Sequence, residues 1–427
     1  MKKLLVYLVS ILMVCSLVAC SSTTEPAETE ATETEDTMEE VTIKLAQGKP
    51  EIDAQLKAYA AIYEENTGVK VEIVSCGGDS CELGQQLKSD YAADEMPDIF
   101  QIQGIEDYND WEGLIEDLSD EAWVSDTDVP FTVDDMVVGF PVSIEGWGLA
   151  YNADLLEQAG IDPATLTNYD AYMAAFEKLD GMKEELGIDS VVSMTAGQGM
   201  YWVTADHNFN SLLSNGEEYG STDLTMSLLA GDVDETILTE YANWVELLFN
   251  YSDQTILTTG DYDAQVGAFA NEKAVFCHQG NWIDGNLTDA TFEMGFAPHG
   301  SRTTDTDGIF VAAPSWYVIN SQSENVQAAK DFLNSFVYTE EGNNYMVNEA
   351  GMIPAFTNIT LSPAGQLSQS VQEWSKMGKT YSWNQYYFAG DFRSNTLGPI
   401  YNLLANDEIT VEQFVEQMTQ AFVDNAE

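Results

Sequence analysis

The sequence reads as an α/β chain of two domains. Near its start, apolar residues switch between period 2 and helical spacing in a β-α-β-α-β order, which calls for a parallel sheet with helices on its faces. The chain from 41 to 427 also exceeds the ~250–300 residues that one hydrophobic core usually organises.

The elements follow in order. Residues 41–46 read as a strand. Ile52, Leu56, Tyr59 and Tyr63 recur at helical spacing, and Gly68 sits where that helix should stop. Val69, Val71 and Ile73 alternate as a second strand; Leu83, Leu87 and Tyr91 mark a second helix; Pro97-Asp98-Ile99-Phe100 opens a third strand. Residues 137–142 and 149–151 read as strands, and Thr167, with Asp170 three residues on, reads as a helix cap. Ile237, Tyr241, Trp244 and Leu248 form a helical stripe, with Trp244 a core residue. Residues 273–278, 292–297 and 316–319 read as strands, the last followed by a helix through Val326, Ala329, Leu333 and Phe336. Thr410 and Gln413 form a capping pair ahead of Val411, Val415, Met418 and Phe422. No strong internal repeat is visible.

The first 40 residues have a different logic. Lys2 and Lys3 precede an apolar run from 4 to 18, closed by Ala19 and Cys20. That is the layout of a bacterial export signal, and the run is shorter than the ~20 residues needed to span a bilayer. Its Leu17-Val18-Ala19-Cys20 end resembles a lipobox, which implies acylation (palmitate) at Cys20 and a 1–20 signal peptide. Residues 21–40 are Ser, Thr, Ala and Glu with almost nothing apolar, and read as a disordered acidic tether. The expected location is extracytoplasmic, lipid-anchored to the cell membrane.

A formal charge of -57 argues against nucleic acid and against docking on anionic lipid, leaving membrane contact through the lipid anchor only. Neutral or cationic ligands stay open. Aromatic residues make up 11% of the chain, many beside Gly, Asn and Gln, a composition suited to gripping flat hydroxylated ligands. Of five cysteines, Cys76 and Cys81 flank a short loop and either form a disulfide or remain free thiols; Cys277, in an apolar run, reads as a buried thiol.

Catalytic and metal chemistry is poorly supported. The three histidines, His207, His278 and His299, form no close metal-binding pair, and there is neither a phosphate loop nor a dinucleotide fingerprint, so no cofactor or metal is expected. Asp305-Thr306-Asp307-Gly308 looks like part of a calcium loop, but Thr303 and Pro314 stand at its first and twelfth ligand positions. Gly78-Asp79-Ser80 lacks a Gly-x-Ser-x-Gly elbow.

The stretch FPVSIEGWGLAYNADLL at 140–156 resembles the central signature of the family 1 extracellular solute-binding proteins, the carbohydrate receptors of ABC importers, which include maltodextrin-binding protein. In the family's order come Pro97-Asp98-Ile99-Phe100, Gly113-Leu114-Ile115-Glu116-Asp117-Leu118, and Phe269-Ala270-Asn271-Glu272-Lys273-Ala274-Val275 ahead of Gly280-Asn281-Trp282. Met294-Gly295-Phe296-Ala297-Pro298 and Ala328-Ala329-Lys330-Asp331-Phe332-Leu333 follow.

The resemblance implies a two-lobed periplasmic-binding-protein-like (type II) fold with hinge crossovers. Lobe 1 would take 41–140 plus 310–338, and lobe 2 would take 141–309 plus 339–427, with a first hinge at 140–143. It implies a mono- or oligosaccharide bound in the cleft of a monomer, delivery to ABC permease subunits and no catalysis. Position by position, the implied ligand contacts are Gln47 and Lys49 after the first strand, Gln101 and Gln103 after the third, Glu145 with Trp147, Tyr201 with Trp202, and Trp282. Near the C-terminus, WNQYYFAGDFR at 383–393 falls near another contact region, adding Tyr387, Asp391 and Arg393. Trp147 and Trp202 equally fit packing of the lobes, and Glu145 a hinge contact. The chemistry suits a pyranose: aromatic rings cover its CH faces while carboxylate, amide and guanidinium groups take its hydroxyl rim. Two competing readings remain, a polyamine receptor on the same fold and a secreted glycan hydrolase using paired carboxylates.

Overall fold

The computed structural model describes residues 41–77 and 81–426, so the expected signal and tether, with Cys20, lie outside the described residues. Among the described residues thirteen strands run β1 Thr42–Gln47, β2 Lys70–Ser75, β3 Ile99–Ile102, β4 Phe131–Val133, β5 Met136–Pro141, β6 Glu145–Trp147, β7 Leu149–Asn152, β8 Ser190–Ser193, β9 Ala274–Cys277, β10 Met294–Ala297, β11 Ile309–Ala312, β12 Trp316–Ile319 and β13 Thr380–Tyr381. They form a six-stranded sheet ordered β2-β1-β3-β12-β5-β4, a four-stranded sheet ordered β10-β7-β9-β8, and a three-stranded sheet ordered β13-β11-β6.

The large sheet is the core of the first lobe. β1 pairs in parallel with β2 and β3, as the β-α-β-α-β reading requires. β12 returns antiparallel between β3 and β5. Helix Asp53–Thr67 crosses from β1 to β2 and ends at Gly68, whose φ of 78 allows the left-handed turn that a side chain would resist. On this sheet Tyr59 stacks on Tyr345 at 5.1 Å and bonds Ser335 at 2.6 Å through its hydroxyl. Tyr345, Met346, Val347 and Phe356 pack into this core with Phe332 and Phe336. The chain around 345–356 therefore lies with the first lobe, not the second as the family pattern implied, because its aromatic side chains are buried there.

The second lobe is mainly helical around the four-stranded sheet. Trp244 is fully buried and meets Tyr172 edge-on at 5.0 Å, and the Tyr241 and Tyr401 hydroxyls bond at 2.5 Å. Burying side chains of this size contributes about 1.5–3 kcal/mol each. The expected Thr167 cap is displaced by one residue. Asn168 caps helix Tyr169–Gly181 by accepting from the Ala171 amide, while Thr167 donates to Asp305. The C-terminal helix Val411–Asn425 carries the expected Thr410–Gln413 capping box.

Three segments cross between the lobes. Residues 142–144 join β5 to β6, 313–315 join β11 to β12, and a third passes Ile353. The Val142 amide donates to the Ser315 carbonyl at 3.1 Å, and the Ile144 amide to the Ile353 carbonyl at 2.9 Å. Among the described residues no helix is long and apolar enough to cross a membrane.

Candidate functional site

A cleft of about 1310 Å³ lies between the lobes, at the carboxyl ends of β1, β2 and β3. Parallel strand ends are where open α/β sheets present ligands. The first-lobe wall is polar. Gln47, fully buried, ties down the turn after β1: its Oε1 accepts from the Lys49 amide, and its Nε2 donates to the Lys49 carbonyl, both at 2.8 Å. This presents Lys49 to the cleft, where its ammonium meets Glu145 at 2.5 Å and Glu51 at 3.0 Å. Burial disfavours that charge, but the two carboxylates prevail and hold Lys49 above the usual lysine range. Glu145 opens β6, just past the 142–144 crossover, so its pair with Lys49 spans the hinge; Glu145 also accepts from the Ser143 hydroxyl at 3.0 Å. Gln101 anchors the same loop by accepting from the Gly48 amide at 2.9 Å, and exposed Gln103 donates its backbone amide to Asp107. A disulfide joins Cys76 to Cys81, and both line this wall.

The second-lobe wall is aromatic. Trp282 lies 4.8 Å from the His207 ring, which is 5.3 Å from Trp202 and 5.5 Å from Trp383. Tyr262 extends the surface beside Trp202. The Trp282 indole is fixed by donating to Gln279 at 2.8 Å. Burial, with smaller contributions from His278, Lys49 and Arg393, pushes His207 well below its usual range, so it offers a neutral ring. Beside this wall Arg393 is paired with Asp206, donates to the Phe388 carbonyl and lies 5.2 Å from the Tyr386 ring. Burial opposes its charge, but Asp206 holds Arg393 protonated above its usual range.

The walls meet at one edge. Tyr201 donates to Glu82 at 3.2 Å across the cleft. Tyr386 sits over Gly104, the cap of helix Ile105–Asp110, whose φ is 143 and whose missing Cβ would stand 3.0 Å from the tyrosine Cβ.

Lys49, Gln101, Gln103, Glu145, Tyr201, Trp202, Trp282, Asp391 and Arg393 thus line one cleft, as do Cys76 and Cys81. Three expected contacts do not. Gln47 is consumed in shaping the Lys49 turn. Trp147 is fully buried, stacked on Phe310 at 4.1 Å behind the wall with His278 and His299 around it. Tyr387 is exposed and does not line the cleft, where its neighbour Tyr386 stands instead. Asp206, His207, Tyr262, Trp383 and Tyr386 were not named as ligand contacts from sequence, although Trp383 and Tyr386 fall inside the 383–393 segment. Asp206, His207 and Arg393 sit on π-helical turns, Trp202–Asn208 and Phe392–Leu397, which have no simple apolar period.

The sequence pattern of the bacterial extracellular solute-binding proteins matches residues 58–379. The chain is 25% identical over 315 residues to the multiple sugar-binding protein of Streptococcus mutans, covering 69% of this chain and 70% of that one. A sugar transporter from Bacillus licheniformis in complex with stachyose superposes with a TM-score of 0.71 at 20% identity, covering 90% of this chain and 100% of that one. A chitin oligosaccharide binding protein gives 0.74 at 18% identity, covering 90% and 98%. At these identities the structural likenesses speak to the two-lobed fold.

Proposed function

Because the chain belongs to the bacterial extracellular solute-binding protein family, we propose that it captures a mono- or oligosaccharide in its cleft and delivers it unaltered to an ABC-type permease. That family comprises substrate-binding proteins, not enzymes, and its members act outside the cytoplasm. On this reading acyl chains on Cys20 hold the chain at the membrane, and residues 21–40 let the folded part reach the permease.

The continuous aromatic wall of Trp202, His207, Trp282 and Trp383, in the same cleft as the Lys49–Glu145 pair, carries the proposal. Sugar rings stack on the indoles through their CH faces. Their hydroxyls lose water in the closing cleft and find partners in Glu145, Lys49, Gln101 and Gln103. A ligand touching both walls binds the closed arrangement better than the open one, and that difference drives closure. The sugar-binding name of the Streptococcus mutans relative and the stachyose complex of the Bacillus licheniformis neighbour support the ligand class.

Thermal shift and calorimetry against a panel of neutral sugars, putrescine and spermidine test the reading. A cognate sugar at about 100 times its dissociation constant stabilises the protein by about 2.7 kcal/mol. Trp282→Ala is expected to weaken that binding by about 2 kcal/mol, as loss of a central aromatic contact does. Stabilisation by a polyamine with no response to sugars would replace the proposal with the cation-receptor reading.

A further inference from the structure

The charge arrangement of the cleft narrows the ligand class, on the premise that the ligand is a sugar. Among the described residues the cations lining the cleft are Lys49, Lys88 and Arg393, and each is already held by a carboxylate. Lys49 is shared between Glu145 and Glu51, which leaves that cluster net negative. Lys88 pairs with Asp110 at 2.9 Å, and Arg393 with buried Asp206. Other lining carboxylates are met by neutral donors: Glu82 by the Tyr201 hydroxyl, Asp107 by the Gln103 amide, and Asp284 by the Leu367 and Ser368 amides. A hydroxyl can donate to any of these oxygens. An anionic substituent finds no uncommitted cation and must either displace a carboxylate from its partner or sit beside one.

We propose that the cleft takes uncharged or amino-substituted glycans and rejects glycans bearing a uronate, sulfate or phosphate group. Shape and stacking choose the sugar; this field sets which charges it carries.

The test is a glycan array of matched neutral, amino and acidic oligosaccharides probed with the full-length protein, followed by calorimetry on the best neutral binder and its uronate counterpart. Retention should be confined to neutral and amino glycans. At about 10 mM salt, where charges act over about 30 Å, the uronate should bind at least about tenfold more weakly. The gap should shrink at about 1 M salt, where the range is about 3 Å. Asp110→Asn, which releases Lys88 at the half-exposed rim, should also shrink it. A uronate bound as tightly as its neutral counterpart at low salt overturns the inference and leaves the sugar reading standing. So does a gap that neither salt nor Asp110→Asn changes, which would assign discrimination to shape. An array on which no glycan is retained overturns the sugar reading and this inference with it.

Discussion

The two walls of the cleft are built in opposite ways. The first-lobe wall consists of loops that leave parallel strands, and its polar residues sit where a sheet always sends its strand ends. The second-lobe wall is assembled from distant pieces: the turn at 202–208, Tyr262, Trp282 and the 383–393 segment. Its precision rests on packing, with Trp147 and Phe310 stacked behind it and the Arg393–Asp206 pair buried beside it. One wall is set by topology, the other by burial, so damage should read out differently on each side.

The largest difference is expected for the ion pairs. Asp206→Ala strands a buried guanidinium and should cost about 3–5 kcal/mol of stability in urea titrations. Asp110→Ala on the first-lobe rim breaks a half-exposed pair and should cost no more than about 1 kcal/mol. Equal losses would dissolve the contrast.

Acid should strike the aromatic side next. Burial lowers His207, His278 and His299, with His278 pushed down to about 3. Below about pH 6.5 the unfolded chain binds protons that the folded histidines refuse, so stability falls as pH falls, by about 1.4 kcal/mol per pH unit for each histidine. For His278 that loss continues until the pH passes its folded value. Urea midpoints that stay flat between pH 7 and pH 5 would show that the rings are not buried neutral.

Where the walls touch, smaller effects are expected. Gly104→Ala places a side chain in a backbone region that L-residues resist and against Tyr386. It should weaken sugar affinity by about 1 kcal/mol while leaving the aromatic wall intact. Tyr201→Phe removes one cross-cleft hydrogen bond and should cost less than about 1 kcal/mol by calorimetry.

The same contrast explains what could be read from the sequence. Strand and helix periods located the large sheet, and the resemblance, applied at its strand ends, pointed to Lys49, Gln101 and Gln103, which line the cleft. It could not separate Gln47 from Lys49, because which of two neighbouring polar residues turns inward depends on the hydrogen bonds of the loop. Trp282 and Trp202 were reachable through the resemblance. Trp147 was not separable from them, because stacking on a sugar and stacking on Phe310 require the same residue type. His207 and Asp206 lay on a turn with no regular period, and Tyr386 differs from Tyr387 only by the rotation of a short helical turn, Gln385–Tyr387.

A crystal structure with the tightest-binding glycan tests the two-wall cleft most directly. The expected result is a sugar ring lying flat on Trp282 with its hydroxyls on Glu145 and Lys49. A glycan bound outside the cleft, or inside it without touching the indole, would contradict that picture.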